Sequence, residues 1–352
     1  MIDNSVSPTN RTGADQSGKS GSASPDNRLL EIDRMKGLAI LLVVWGHVPS
    51  ASISGPALWY YVSISGVYAF HMPLFMYLSG FVFFMVGGPD RFWRSPLKQI
   101  ATRFDRLMVP FLAFGILIVT GKYLANSFSE ISDPVKSLSD GLFKVIDNTP
   151  DNPLLSIWYL LVLFIYTIIV PIFWRFGGRK IYLIILFGII GWIFPFPEEY
   201  YLKRIATFLI FFGIGGLFAI KKDIILPVLS KYYLYFLSIF LFVLYETYDS
   251  QYALLLCGAS SICALHGLFL QNFWNSDRLF LGIGRNSMAI YLLNTIFIGM
   301  AKLFIGHFSS HNLALFLAMV ALLNAVGIFG PIAVRLIMNG IPATRPITRY
   351  LD

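Results

Sequence analysis

Two stretches of this chain leave little freedom in what it can fold into. Leu154 to Trp174 and Leu313 to Val334 each run for about twenty residues without a charged side chain. Coiled as a helix, such a run reaches about 30 Å, the thickness of a bilayer's hydrocarbon core. A helix also bonds its own backbone N–H and C=O groups, which lipid demands. Composition carries the same message. Of 352 residues, 56% are hydrophobic and 13% charged, against about 25% charged in soluble domains. Water could not be kept from so much apolar surface by folding alone. The chain reads as an all-α polytopic membrane protein.

Apolar runs and turn residues place about ten spans, near 37–55, 58–86, 107–127, 154–174, 181–197, 205–220, 232–248, 252–271, 286–305 and 312–334. The fifth and sixth are short. Residues 1–28, rich in Ser, Gly, Asn and Asp, read as a disordered cytoplasmic tail. No apolar core stands before Gly37, so no signal peptide is expected there. The transmembrane domain then covers 29–334, and 335–352 form a short C-terminal tail. Basic residues gather in alternate loops: Arg34 and Lys36, then Arg91 to Arg106, Arg175 to Lys180, Lys221 to Lys231, Arg278 and Arg285, and Arg335 onward. The intervening loops carry Glu130, Asp133, Glu198, Glu199, Glu246 and Asp249, with Lys203 and Arg204 among them. The positive-inside rule therefore expects both termini in the cytoplasm. It also accounts for the net charge of +8, so membrane lipids and not nucleic acid are the expected partners. Cys257 and Cys263, six apart, point from different helix faces and read as packing residues. No metal site is expected.

Ionisable groups within spans are functional suspects. Lys36 and His47 lie 11 residues apart, three turns plus about 20°, and so share a helix face. Asp33 falls within about 40° of the same stripe. At 1.5 Å per residue His47 sits about 16 Å deeper than Lys36, near the middle of the bilayer. It packs and bonds a carbonyl, or it does chemistry; the aligned lysine and the following Pro49 favour chemistry. The second span holds His71, also near mid-depth, followed by Pro73. Pro73 cannot bond the carbonyl of Ala69, and His71 could help to satisfy that opened backbone. Imidazole is a suitable general base near neutral pH. Arg103 and Arg106, at i and i+3, face one way at the cytoplasmic interface. Guanidinium groups there bind phosphate, either of a ligand or of lipid headgroups. Trp158 and Tyr159 read as interfacial aromatics, and Asn286 or Ser287 as a helix cap.

These pieces, in this order, resemble the acyltransferase 3 family of membrane acyltransferases. The resemblance rests on Asp33 with Lys36-Gly37 and His47, then Phe70-His71-Met72-Pro73-Leu74-Phe75 with Ser79-Gly80. Arg103 and Arg106 ahead of Pro110, Trp158-Tyr159-Leu160, and Gly284-Arg285-Asn286-Ser287 with Tyr291 complete it. It is nearest to the branch that O-acetylates sugars of surface or exopolysaccharides or their lipid-linked precursors. It implies ten spans in a bacterial inner membrane, His47 as the catalytic histidine, and Arg103 and Arg106 on the side of an acyl-CoA donor. Acetyl-CoA is then a co-substrate, with no bound cofactor. Many members have Arg where this chain has Lys36, and His where it has Asn294. Lysine keeps the charge and loses the bidentate fork. The sequence leaves open whether His47 would act as base or carry the acyl group. It also leaves open a longer acyl donor, and a transporter or flippase of a lipid-linked sugar that uses the same histidines.

Overall fold

A computed structural model describes residues 29–48, 58–126, 135, 137–147, 157–247, 250, 252–305 and 313–351. The tail 1–28, Pro49, Glu130, Asp133 and Asp249 lie outside the described residues. The chain folds as α1 (Leu30–His47), α2 (Leu58–Met85), short α3 (Gly88–Arg94) and α4 (Pro96–Arg103), and α5 (Val109–Ala125). Then come short α6 (Leu138–Lys144), α7 (Trp158–Phe176), α8 (Ile181–Ile193), α9 (Leu202–Ile220), α10 (Lys222–Lys231) and α11 (Tyr233–Thr247). The last group is α12 (Ala253–Phe269), α13 (Leu279–Arg285), α14 (Ser287–Ile305), α15 (Leu313–Gly340) and short α16 (Arg345–Thr348). No strand occurs among the described residues.

Among the described residues six helices are long and apolar enough to cross a membrane. They end on α2, on α5 with the α4 segment before it, and on α7, α9, α14 and α15. A seventh arises if α10 and α11, bent by 78° at their junction, act as one span. Each of the ten expected segments overlaps a helix. Two of them, α8 and α12, fall short of the span length, and α1 carries Glu31, Asp33, Arg34 and Lys36 in its first turns.

Close helix approach builds the core. A Cβ on Gly80 of α2 would fall on the carbonyl oxygen of Phe212 in α9, and one on Gly215 of α9 on that of Tyr77. The two backbones touch because neither position has a side chain, as small residues allow in membrane helix pairs. At the other side of α2, Trp45 of α1 donates its indole N–H to Ser63 at 3.0 Å, and Ser63 donates to the Tyr60 carbonyl at 2.6 Å. The Trp45 carbonyl accepts the Val48 N–H at 3.4 Å, and the Tyr60 hydroxyl lies 3.4 Å from the same oxygen. At the rim, buried Arg34 pairs with Asp277 at 3.5 Å. Asp277 also accepts the N–H groups of Leu279, Phe280 and Leu281, opening α13.

Candidate functional site

The middle of α2 and the end of α1 line one cavity of about 310 Å³. Val43 and His47 enter from α1, Tyr68, His71 and Met72 from α2, Trp158 from α7, Arg204 and Phe208 from α9, Leu254 from α12 and Tyr291 from α14. His71 is the fourteenth residue of the 28 in α2, while His47 closes α1 and Trp158, Arg204 and Leu254 stand in the first turns of α7, α9 and α12. His47 and His71 therefore share the cavity that their separate spans suggested.

The two imidazoles are not equivalent. His71 is buried, and its Nδ1 donates to the Val67 carbonyl at 2.8 Å. A carbonyl can only accept, so the neutral ring carries its proton on Nδ1. The expected partner was Ala69; the partner is Val67. A helical side chain leans back over the preceding turn and meets i−4, while i−2 faces away. His47 has no hydrogen-bond partner among the described residues. Its ring nitrogens are left to whatever occupies the cavity. Next to it, the Tyr68 hydroxyl donates to the Gly46 carbonyl at 3.1 Å.

Trp158 and Tyr159 are interior, not an interfacial belt. Trp158 is buried against Phe208, with the Arg204 guanidinium 4.6 Å above its ring. Tyr159 bonds Ser79 on α2 and stands edge-on to Tyr291. Arg204 is the cavity residue that sequence reasoning missed, because next to Lys203 it reads as loop charge. The turn ahead of it is strained. Tyr200 and Tyr201 hold φ of 51° and 61°, a left-handed conformation costing roughly 1–2 kcal/mol per residue. The Tyr201 hydroxyl, donating to the Val145 carbonyl at 2.7 Å, and the Tyr200 N–H, bonded to the Asp147 carbonyl at 3.1 Å, hold it.

A second cavity of about 80 Å³ lies towards the other end of α2 and α7. Arg91, Gln99, Arg103 and Thr167 line it with Phe83, Val86, Gly88 and Phe92. From His71 to Phe83 and from Trp158 to Thr167 the helix rise gives roughly 13 to 18 Å between the two cavities. Arg103 feels the charges of Arg106 and Arg91. Arg106 is exposed and does not line the cavity. The equal-face expectation assumed α-helical spacing, but Phe104–Met108 form a π turn. Its wider i→i+5 geometry opens the angle between the two side chains, and Arg106 acts on Arg103 from outside the cavity. Asp105 faces the C-terminal segment, where Arg349 and Tyr350 bond it at 3.1 and 2.8 Å.

The remaining expected residues sit elsewhere. Lys36 pairs with Asp33 at 3.2 Å, at the rim end of α1. Asn286 bonds the Gly282 carbonyl at 2.8 Å and accepts from Arg335. It is the C-cap residue of α13, its backbone N–H bonded to the Ile283 and Gly284 carbonyls, and it ties that helix to α15. Neither Asn286 nor Ser287 reaches the His47 cavity. Buried Asn294 bonds the carbonyls of Ile290 and Tyr291. His266, for which the sequence suggested no role, is fully buried and bonded to Tyr77. No group of three or more His, Cys, Asp or Glu suited to a metal ion occurs among the described residues.

Comparison with known proteins now bears on this arrangement. Nodulation protein NolL of Mesorhizobium japonicum is 30% identical over 164 residues, 46% of this chain and 40% of that protein. Nodulation protein NolL of Sinorhizobium fredii is 33% identical over 106 residues, 30% of this chain and 28% of that protein. The matches thus span well under half the length of these relatives. No solved structure gives a significant match. The family described as the acyltransferase domain, acyltransferase 3, matches residues 29–333, which hold both cavities and every helix that lines them, and the chain belongs to that family.

Proposed function

We propose that this protein is a membrane O-acyltransferase that moves an acetyl group from cytoplasmic acetyl-CoA to a hydroxyl of a surface or exopolysaccharide sugar, or of its lipid-linked precursor. The observation that carries the reading is the imidazole of His47, which lines the larger cavity without a hydrogen-bond partner among the described residues, with a cluster of guanidinium groups roughly 13 to 18 Å away. That span suits the extended arm of coenzyme A, whose phosphates would sit by Arg103 and Arg91 while the thioester reaches His47. In this scheme ten segments cross a bacterial plasma membrane, with both termini in the cytoplasm.

The transfer is a single acyl substitution. His47 takes the proton of the sugar hydroxyl as its oxygen attacks the thioester carbonyl. The carbon–sulfur bond then breaks, and the leaving thiolate takes the proton back from the imidazolium. Products are the O-acetyl sugar and free coenzyme A. His71, its Nδ1 committed to Val67, supports the cavity wall. Lys36 and Asp33 form the charged rim below the stripe and assist donor entry.

Purified protein supplied with radiolabelled acetyl-CoA and lipid extract from the native host tests this. Wild type should label a glycan or glycolipid, and His47→Ala should lower the rate by at least about 10²–10⁴-fold while the protein still inserts and folds. Labelling that survives in His47→Ala would overturn the assignment. Sugar movement across vesicles without any donor would point to transport instead.

A further inference from the structure

We propose that Arg204, laid on the face of Trp158, forms an anion subsite for the acceptor, so that the cavity prefers a sugar bearing a carboxylate or phosphate over a neutral one. This rests on the reading that a sugar acceptor enters the His47 cavity.

Arg204 is half-buried and makes no ion pair or hydrogen bond among the described residues. The carboxylate whose charge it feels, Glu198, is taken by Lys203 at 2.5 Å. A guanidinium standing over an indole ring still has N–H groups to offer an oxyanion, which it can bind with two parallel bonds. Withdrawing such a group partly from water without an anionic partner is unfavourable, so its place is explained by a ligand that supplies the charge. The ligand is not the donor's phosphate. Arg91 and Arg103 stand at the other end of α7, roughly 13 Å or more away along the helix, and line a cavity of their own.

Two further observations fit an acidic sugar. Arg204 shares the cavity wall with Tyr68 and Tyr291, aromatic rings against which a sugar ring can lie. The arginine is also aimed by an unusual backbone. Two successive residues with left-handed φ, Tyr200 and Tyr201, precede α9, and the structure holds them in place through Val145 and Asp147. Strained turns of this kind concentrate where a side chain must be presented in one direction.

Binding to protein in nanodiscs tests the subsite without donor or turnover, so the result stands apart from whether acetyl transfer occurs. The probes are octyl glucoside, octyl glucuronide with a carboxylate at C6, and octyl phosphoryl glucose with a phosphodiester between the alkyl chain and C1. Wild type should bind at least one anionic probe about tenfold or more tightly than the neutral one. The carboxylate and phosphate arms identify which source of the oxyanion it takes. Arg204→Gln should remove the preference and leave octyl glucoside binding within about twofold. Arg204→Lys, which keeps charge but loses the planar fork, should retain only part of it. Equal affinity of wild type for all three probes overturns the proposal, as does absence of binding to any of them. An Arg204→Gln variant that weakens neutral and anionic probes alike also overturns it, and assigns the arginine to the cavity wall.

Discussion

At the scale of single residues, the site is a set of cations and imidazoles distinguished by what already occupies them. His71 and His47 share a cavity, yet a backbone carbonyl holds one ring and no group among the described residues holds the other. The same accounting separates the arginines. Arg103 and Arg91 line the smaller cavity, Arg106 is exposed beyond the π turn, and Arg204 rests on Trp158. A charge-assisted hydrogen bond to phosphate contributes about 1.5–3 kcal/mol. Arg103→Ala and Arg91→Ala should each therefore raise the dissociation constant for acetyl-CoA by about tenfold or more, and Arg106→Ala by much less. Titration calorimetry on the three variants checks the order; an Arg106 effect as large as that of Arg103 would return the pair to a common face. His47 and His71 were legible as sequence because a mid-span histidine has few other reasons to exist. Arg204 was not, since three residues of charge around Glu198 look like any solvated loop.

At the scale of elements, the helices are set by contacts that tolerate no side chain. The α2–α9 crossing brings His71 and Arg204 to one cavity because Gly80 and Gly215 let carbonyls approach their Cα atoms. Gly80→Val should force the crossing apart and destabilise the fold by about 1–3 kcal/mol or more, read as a lower unfolding temperature in detergent; unchanged stability would mean the helices are not so close. The α1–α13 contact is built the same way at Gly37 and Gly284 and is pinned by the buried Arg34–Asp277 pair. The helices themselves follow from apolar run length, which is why each expected segment meets one. Their irregularities do not. The π turn at Phe104–Met108 and the 78° bend between α10 and α11 leave no mark in apolar run length; the first stands just ahead of Pro110, which has no N–H for the Arg106 carbonyl.

At the scale of the whole molecule, two cavities share α2 and α7 as common walls, and the charges at either end differ. The positive-inside pattern expects Arg91 and Arg103 on the cytoplasmic side and the turn before Arg204 on the opposite side. Single cysteines at Arg94 and at Glu199, in a background with Cys257 and Cys263 replaced, should react with a membrane-impermeant maleimide from opposite faces of intact cells and inverted vesicles. Labelling from the same face would overturn both the topology and the donor-side assignment.

Apolar length, loop charge and the cost of an ionisable group in lipid are local properties, so the membrane setting, the helical class, the helix positions and the two histidines could be read along the chain. Assembly of the helices leaves His47 without a hydrogen-bond partner among the described residues, lines the smaller cavity with Arg91 and Arg103, and lays Arg204 over the Trp158 ring. Each of those depends on which groups from distant helices meet, and on which hydrogen bonds and ion pairs are already taken when they do.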